Sequence, residues 1–550
     1  MSGLSVFAAL DRAALTDRSI RVLEQADESL VFSYTSIRDT ALQIGGALVA
    51  RGIPQGARVA LVFPEVADFI HAFFGITAAG LVPVPLFPPA QAGDLPTFLR
   101  QSQHILEASH AAAILTSPDV APVLDVESVS SSPKVLTLDE LRSGPALQAG
   151  VAAEMNAPAL LQFTSGSTAA PKGVVLTHAN IEANANAIAY GLGLRPDDIG
   201  VSWLPLYHDM GLIGQLIAAV YGRVSLVMMS PVQFLKRPSV WLNAISKYHG
   251  TISFAPNFAY ELCTRRVKTS QLESLDLSSW RIAGCGAEPV RADTLKAFAD
   301  HFAPAGFTAS AFLPSYGLAE HSLAVTFCSG LHVDVVDAGH LTRDSRAIPV
   351  VNGSPSVKIV DCGRSFPDHE VRIVDDHDRQ LPERHIGRIV CKGPSVMAGY
   401  FENPEATAET LRDGWLQTGD LGYMADGHLF VCGRTKDLII RHGRKYHPPD
   451  LESAIASMQG VRQTGVVVFG VNRMTEADEV VAVLEARASN TADDVVEQVR
   501  RRIRETSGLE IDHVVVASPG TIPRTTSGKV RRAETRDRFT AGTLLNGRGA

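Results

Sequence analysis

The sequence predicts an α/β fold in at least two domains, on three observations. The chain has 550 residues, well past the size at which a single hydrophobic core stops growing. Short, nearly continuous apolar runs alternate with longer helical stretches through most of its length, as in mainly parallel sheets flanked by helices on both faces. After about residue 365 polar and apolar residues alternate between turn residues, which indicates antiparallel ribbon.

In chain order, "RVALVFP" (58–64) reads as a strand, "EVADFIHAFFGITAAG" (65–80) as a helix and "LVPVPLF" (81–87) as the next strand. Residues 69–89 form the most apolar window, but His71, Pro83, Pro85, Pro88 and Pro89 would sit badly in a membrane helix. A buried helix followed by a strand is expected there, and no transmembrane segment. "PALLQFT" (158–164), "GVVLT" (173–177), "RVSLVMM" (223–229), "WRIAGCG" (280–286) and "SAFLP" (310–314) repeat the strand theme. "GYMADGHLFVCGR" (422–434) carries an Asp-Gly turn and reads as a hairpin. "TADDVVEQVRRRIRET" (491–506) reads as an amphipathic helix whose Thr-x-x-Asp opening is close to a capping box. A boundary near residues 433–437 divides a large N-terminal domain, 1–433, from a C-terminal α+β domain of about 110 residues, 438–550.

Composition narrows the function classes. The apolar share of 45% and charged share of 20% fit an ordinary globular protein, and a formal net charge of −8 argues against nucleic acid as a partner. Six scattered cysteines without a C-x-x-C pair suit reduced thiols in a cytoplasmic protein better than a disulfide frame or a zinc site. The N-terminus has no basic start followed by an apolar run, so no secretory signal is expected.

The segment "TSGSTAAPKG" (164–173) has the ingredients of a phosphate cradle. Gly166 and Gly173 permit close backbone approach, Thr164, Ser165, Ser167 and Thr168 offer hydroxyls and amides, and Lys172 supplies a cation. It is no Walker loop, because Pro171 and Gly173 flank Lys172, and "GCGAEP" (284–289) lacks the last glycine of the dinucleotide fingerprint. Alone, such a loop could equally be an ordinary surface loop.

The loop resembles the signature of the adenylate-forming superfamily, which includes acyl-CoA ligases, peptide-synthetase adenylation domains and luciferases. Five further segments follow in that superfamily's order: "GAEPV" (286–290), "SYGLAE" (315–320), "TGD" (418–420), "GRTKD" (433–437) and "PRTTSGKVRR" (523–532). The resemblance implies that ATP and a carboxylate react to acyl-AMP and pyrophosphate. It puts Thr164, Ser165, Gly166, Ser167, Thr168 and Lys172 around the phosphates, and has Glu320, helped by Thr164, hold Mg²⁺. Gly286, Ala287, Glu288 and Pro289 would frame the adenine with Ser315, Tyr316 and Gly317. Asp420 would accept from the ribose hydroxyls, and Arg434 would approach the ribose or phosphate. Lys529 would bridge carboxylate and α-phosphate, a role suited to a long flexible cation. Residues 434–437 would be a hinge, centred on Lys436, about which a mobile C-terminal domain swings. The antiparallel ribbon would form a distorted barrel.

"PLYHDMGLIG" (205–214) and "FAPNFAYEL" (254–262) resemble the fatty acyl-AMP ligases, which pass a fatty acyl group to the phosphopantetheine of an acyl carrier protein. His208 would then orient the carboxylate. The roughly 40 residues between Glu320 and "CGRSFPD" include a segment, about 332–364, that looks like that subfamily's insertion, which packs against the small domain and hinders the pose needed for CoA. "GRKYHPPDLE" (443–452) and "CGRSFPD" depart from the subfamily pattern. No carrier domain is visible, so a separate carrier protein is expected. A fatty acyl-CoA ligase and a non-catalytic lipid- or nucleotide-binding protein are the alternatives. Met228, Met229, Phe234, Phe254, Phe258 and Leu262 could line an acyl tunnel or belong to the core.

Overall fold

Phe69 through Ala78 are buried on every side of the helix Val66–Ala78, and the strand Val82–Pro85 that follows is buried throughout. The chain's most apolar window is therefore core, as expected. The computed structural model describes residues 3–24, 28–89, 95–124, 126, 129–164, 171–351, 353–458, 460–471, 478–486, 492–524 and 530–545. Among these, no helix is long and apolar enough to cross a membrane.

Two α/β layers build most of the molecule. A four-stranded parallel sheet orders Val82–Pro85, Arg58–Val62, Ala113–Thr116 and Lys134–Thr137. A nine-stranded sheet has a parallel centre of Phe312–Gly317, Ile282–Cys285, Ile252–Ala255, Ile199–Ser202, Ser225–Met229 and Ser19–Leu23, with antiparallel strands at its edges. The strand expected from 310 starts at Phe312, because Ala309–Ala311 closes a 3₁₀ turn.

One strand pair departs from the parallel expectation. Pro158–Thr164 and Lys172–Thr177 are antiparallel, with Thr164 opposite Lys172, and Gly399–Tyr400 extends the pair. The connection between them is too short for the crossover a parallel pair needs.

The antiparallel part runs Glu370–Val374, Gly387–Lys392, Trp415–Ala425 and Leu411–Arg412, with His428–Arg434 also on Trp415–Ala425. Asp426 and Gly427 turn that hairpin at φ +52° and +75°, the left-handed pair that a tight two-residue turn requires. Residues 332–364 hold an antiparallel pair, Val333–Asp337 with Ser356–Val360, and the helix Ala338–Asp344, whose first turn is capped by Asp337 accepting from His340 N–H at 2.9 Å. Val336, Leu341 and Ile359 bury themselves against Tyr423, Ala425 and Phe430.

From Ile439 onward the chain packs a hydrophobic cluster of its own, in which Val495, Val499 and Ile503 of the helix Ala492–Ser507 face the sheet Val461–Val471, Glu479–Ala486 and His513–Ala517. The helix Ala338–Asp344 lies against Arg444–Tyr446 and Ala492–Ser507.

Candidate active site

Ile282–Cys285 and Phe312–Gly317 run parallel, so their C-terminal ends open on the same crevice, where ligands of open α/β sheets bind. A Cβ at Gly286 would stand 2.5 Å from Ser315 Oγ, so only glycine lets the two ends lie this close. Ser315 Oγ donates to Cys285 O at 3.1 Å. Asn257 clamps the next turn, donating to Pro289 O at 2.5 Å and accepting from Arg291 N–H at 3.1 Å. Ala287 is held at φ +69°, a conformation that costs a residue bearing a Cβ. The Glu288 carboxylate accepts from Phe258 N–H at 3.1 Å and so caps the helix Asn257–Arg266. What Gly286–Pro289 offers to a ligand is therefore a fixed backbone edge.

Tyr316, next to the last residue of its strand, donates its hydroxyl to Asp420 Oδ2 at 2.7 Å. Asp420 stands opposite Arg434 in the register of the hairpin, and Arg434 Nε lies 3.3 Å from Asp420 Oδ1. Burial, and then the charge of Asp420, push the Tyr316 phenol well above its ordinary range, so it acts as a donor. Asp420 in turn holds the Arg434 guanidinium above its ordinary value. An ionised carboxylate accepts about four hydrogen bonds, so holding both groups is compatible with accepting from a ligand's hydroxyls too.

A second line of contacts runs through Tyr400. Lys172 Nζ sits 4.9 Å from the centre of the Tyr400 ring, and the Tyr400 hydroxyl donates to Glu320 Oε1 at 2.8 Å. Burial raises the Glu320 carboxyl above the usual range; the Tyr400 hydroxyl opposes this, and the charge of Asp209 adds to it. The charge of Arg434 also reaches Glu320, so the two lines of contacts stand near each other.

His208 Nδ1 lies 2.6 Å from Asp209 Oδ1, which also accepts from Met210 N–H at 2.7 Å. The helical turn Asp209–Gly211 passes directly into the π-helical turn Leu212–Ile217, a rare element frequent at functional sites. Gln162 Nε2 donates to Tyr207 O at 3.0 Å, and its Oε1 is buried without a hydrogen-bond partner among the described residues.

The structure thus brings Thr164, Lys172, Glu320, Tyr316, Asp420 and Arg434 together by these contacts, with Asp209, next to His208, acting on Glu320. Lys436 is exposed in the turn Thr435–Asp437. Ser165, Gly166, Ser167, Thr168 and Lys529 lie outside the described residues. Met228, Met229 and Phe234 are core side chains, Phe234 stacking on Trp203 at 4.0 Å. Sequence reasoning missed Tyr400, and it included Asn257 only inside "FAPNFAYEL" with no role of its own, because the partners of both are distant in the chain.

Comparison with known proteins agrees with this geometry. Residues 8–401 match the family described as AMP-binding enzyme, and residues 436–547 match the AMP domain of the Disco-interacting protein 2-like family. A Caulobacter vibrioides protein, provisionally named an acyl-CoA synthetase, is 38% identical over 549 residues, 97% of this chain and 95% of its own. A medium-chain-fatty-acid acyl-carrier-protein ligase of Moorena producens is 35% identical over 543 residues, 93% of this chain and 90% of its own. A solved structure from a study of fatty acyl-adenylate ligases of E. coli and L. pneumophila is similar with a TM-score of 0.91 at 36% identity, covering 98% of both chains.

Proposed function

Because the chain belongs to the AMP-binding enzyme family, with fatty acyl-AMP ligases among its relatives, we propose that it activates a fatty acid with ATP and hands the acyl group to the phosphopantetheine thiol of a separate carrier protein. In the first step a carboxylate oxygen attacks the α-phosphorus, and the bond to pyrophosphate breaks. In the second the thiol attacks the acyl carbonyl, and AMP leaves. The observation that carries this reading is the pair of neighbouring contact sets, Tyr316 and Arg434 on Asp420 and Tyr400 on Glu320.

In this reading Asp420 takes the ribose hydroxyls, Tyr316 and the Gly286–Pro289 backbone frame the adenine, and Lys172 with the Ser165–Thr168 loop meets the phosphates. Arg434, held by Asp420, adds positive charge beside the ribose and phosphate. His208, its ring steadied by Asp209, orients the incoming carboxylate. Lys529 bridges the two reacting groups. The donors around Glu320 fit a hard divalent cation: Glu320 and Asp209 feel each other's charge, and Thr164 adds a hydroxyl. Mg²⁺ held there would neutralise phosphate charge. Residues 438–550 would turn about the hinge 434–437 between the two steps, Lys436 taking up the dihedral change. Both steps are assigned to the cytoplasm.

The test is a product assay with ATP, Mg²⁺ and dodecanoic acid, resolved by mass spectrometry with CoA, with a phosphopantetheinylated carrier protein, and with neither. Dodecanoyl-AMP that CoA leaves untouched and the carrier consumes is the expected result. The name of the Caulobacter relative favours a second reading, a fatty acyl-CoA ligase, and efficient dodecanoyl-CoA formation would establish it instead.

A further inference from the structure

Three side chains distant in sequence meet at the neck of the 332–364 segment. Cys328 follows the strand Ala324–Phe327, Asp361 follows Ser356–Val360, and His428 opens His428–Arg434. One ligand atom from each (the Cys328 sulfur, an Asp361 oxygen and a His428 ring nitrogen) lies within 4.8 Å of the other two. Cys328 is 2% exposed and Asp361 5%, while His428 reaches the surface along one edge. We propose that Cys328, Asp361 and His428 form a binding site for a thiophilic divalent transition metal, zinc foremost, with water completing the coordination.

The donor set selects the ion class. Sulfur, imidazole nitrogen and one carboxylate suit Zn²⁺ and its first-row neighbours and are poor for Mg²⁺ or Ca²⁺, which favour all-oxygen shells. The local hydrogen bonding leaves work for a cation. His428 Nδ1 stands 2.7 Å from Asp361 Oδ2, yet it is buried without a well-directed hydrogen bond. The other Asp361 oxygen accepts from Gly363 N–H at 2.7 Å, which orients the carboxylate in the way outer hydrogen bonds orient metal ligands. The Cys328 sulfur, the Asp361 oxygen and the His428 nitrogen already converge. On binding a divalent ion the thiol would give up its proton to solvent, and the thiolate and carboxylate would then share a positive partner.

The position gives the site a consequence. The strand pair Val333–Asp337 and Ser356–Val360 lies between Cys328 and Asp361, and His428 belongs to the ribbon on which this pair packs. A metal here staples the neck of the segment to that ribbon. It thereby steadies the helix Ala338–Asp344, which lies against Arg444–Tyr446 and Ala492–Ser507. The spacing of the cysteines could not reveal such a site, because each ligand comes from a different part of the chain.

The full-length protein, stripped with a chelator and then dialysed, would be titrated with Zn²⁺ and, separately, with Co²⁺. One equivalent of metal by elemental analysis is expected, with a thiolate-to-cobalt charge-transfer band and slower proteolysis within residues 332–360 when metal is bound. Cys328→Ser and His428→Asn should each abolish stoichiometric binding and the band, whereas Cys362→Ser, at a buried neighbouring cysteine, should retain both. Should Cys328→Ser fail to fold, His428→Asn, at the partly exposed ligand, decides the matter. Absence of stoichiometric binding to the native protein, or binding that survives either ligand substitution, overturns the proposal.

Discussion

Tyr400→Phe is the sharpest single test of the candidate site, because it removes one atom and leaves the ring. The lost hydroxyl donates to Glu320 Oε1 at 2.8 Å, whereas the ring face 4.9 Å from Lys172 Nζ remains. A hydrogen bond to a charged group contributes about 1.5–3 kcal/mol. Tyr400 is half-buried, so the lower end applies, and about 1.5 kcal/mol corresponds to roughly tenfold in rate. The direction of the pH effect follows from Glu320. Its carboxyl is already raised by burial, with the Tyr400 hydroxyl pulling it down, so the variant raises it further. In the proposed role Glu320 works as the carboxylate, and the acid limb of the pH–rate profile should therefore move upward. The same shift has a stability signature. A carboxyl raised in the folded state contributes stability that is present below its unfolded value and lost as pH rises through the folded one, and the variant enlarges that loss. The assay is pyrophosphate release against pH and Mg²⁺ concentration, with Tyr400→Leu as the variant that also removes the ring beside Lys172. A rate for Tyr400→Phe within about twofold of the native enzyme, well short of the loss expected for such a bond, with an unmoved acid limb, would refute the reasoning.

Other substitutions probe separate parts of the molecule. Asp420→Asn removes the charge that Tyr316 and Arg434 share, and should raise the KM for ATP by about ten- to a hundredfold, read by ATP–pyrophosphate exchange. Lys529→Ala should slow adenylation by about 10²–10³, and unchanged acyl-AMP formation would remove Lys529 from the mechanism. Arg281→Ala concerns stability alone. Asp198, its side chain 2% exposed, keeps its charge through Arg281 at 2.5 and 2.9 Å, so the variant should lose about 3–5 kcal/mol in denaturant titration at neutral pH. Burial raises the Asp198 carboxyl, but hydrogen bonds from Arg281, Arg195 N–H and Thr251 outweigh it and hold it below its ordinary range. The native protein's share of stability from this group is thus present above the unfolded carboxylate value and lost as pH falls through the depressed one, so the gap between native and variant should shrink in acid.

What could be read in the sequence was what the chain settles locally. The apolar window 69–78 had to be a buried helix, and Asp426-Gly427 had to turn a hairpin. The direction of the Lys172–Thr177 strand was less evident, because a buried apolar run looks alike in parallel and antiparallel sheets; only the short connection at 165–171 decides it. Tyr400 was out of reach for a different reason. Its partner Glu320 is 80 residues away, and the bond exists only once Gly399–Tyr400 has paired with Lys172–Thr177. The acceptor is harder still. Every residue proposed for adenylation serves a carrier-loading and a CoA-loading enzyme equally well, since both begin by forming acyl-AMP. On the proposal that residues 438–550 turn between the two steps, a difference between them would lie in how freely those residues turn. The helix Ala338–Asp344, resting against Arg444–Tyr446 and Ala492–Ser507, is the contact that would limit such a turn. On that proposal acceptor choice is a property of contacts among three separate stretches, which no single motif encodes.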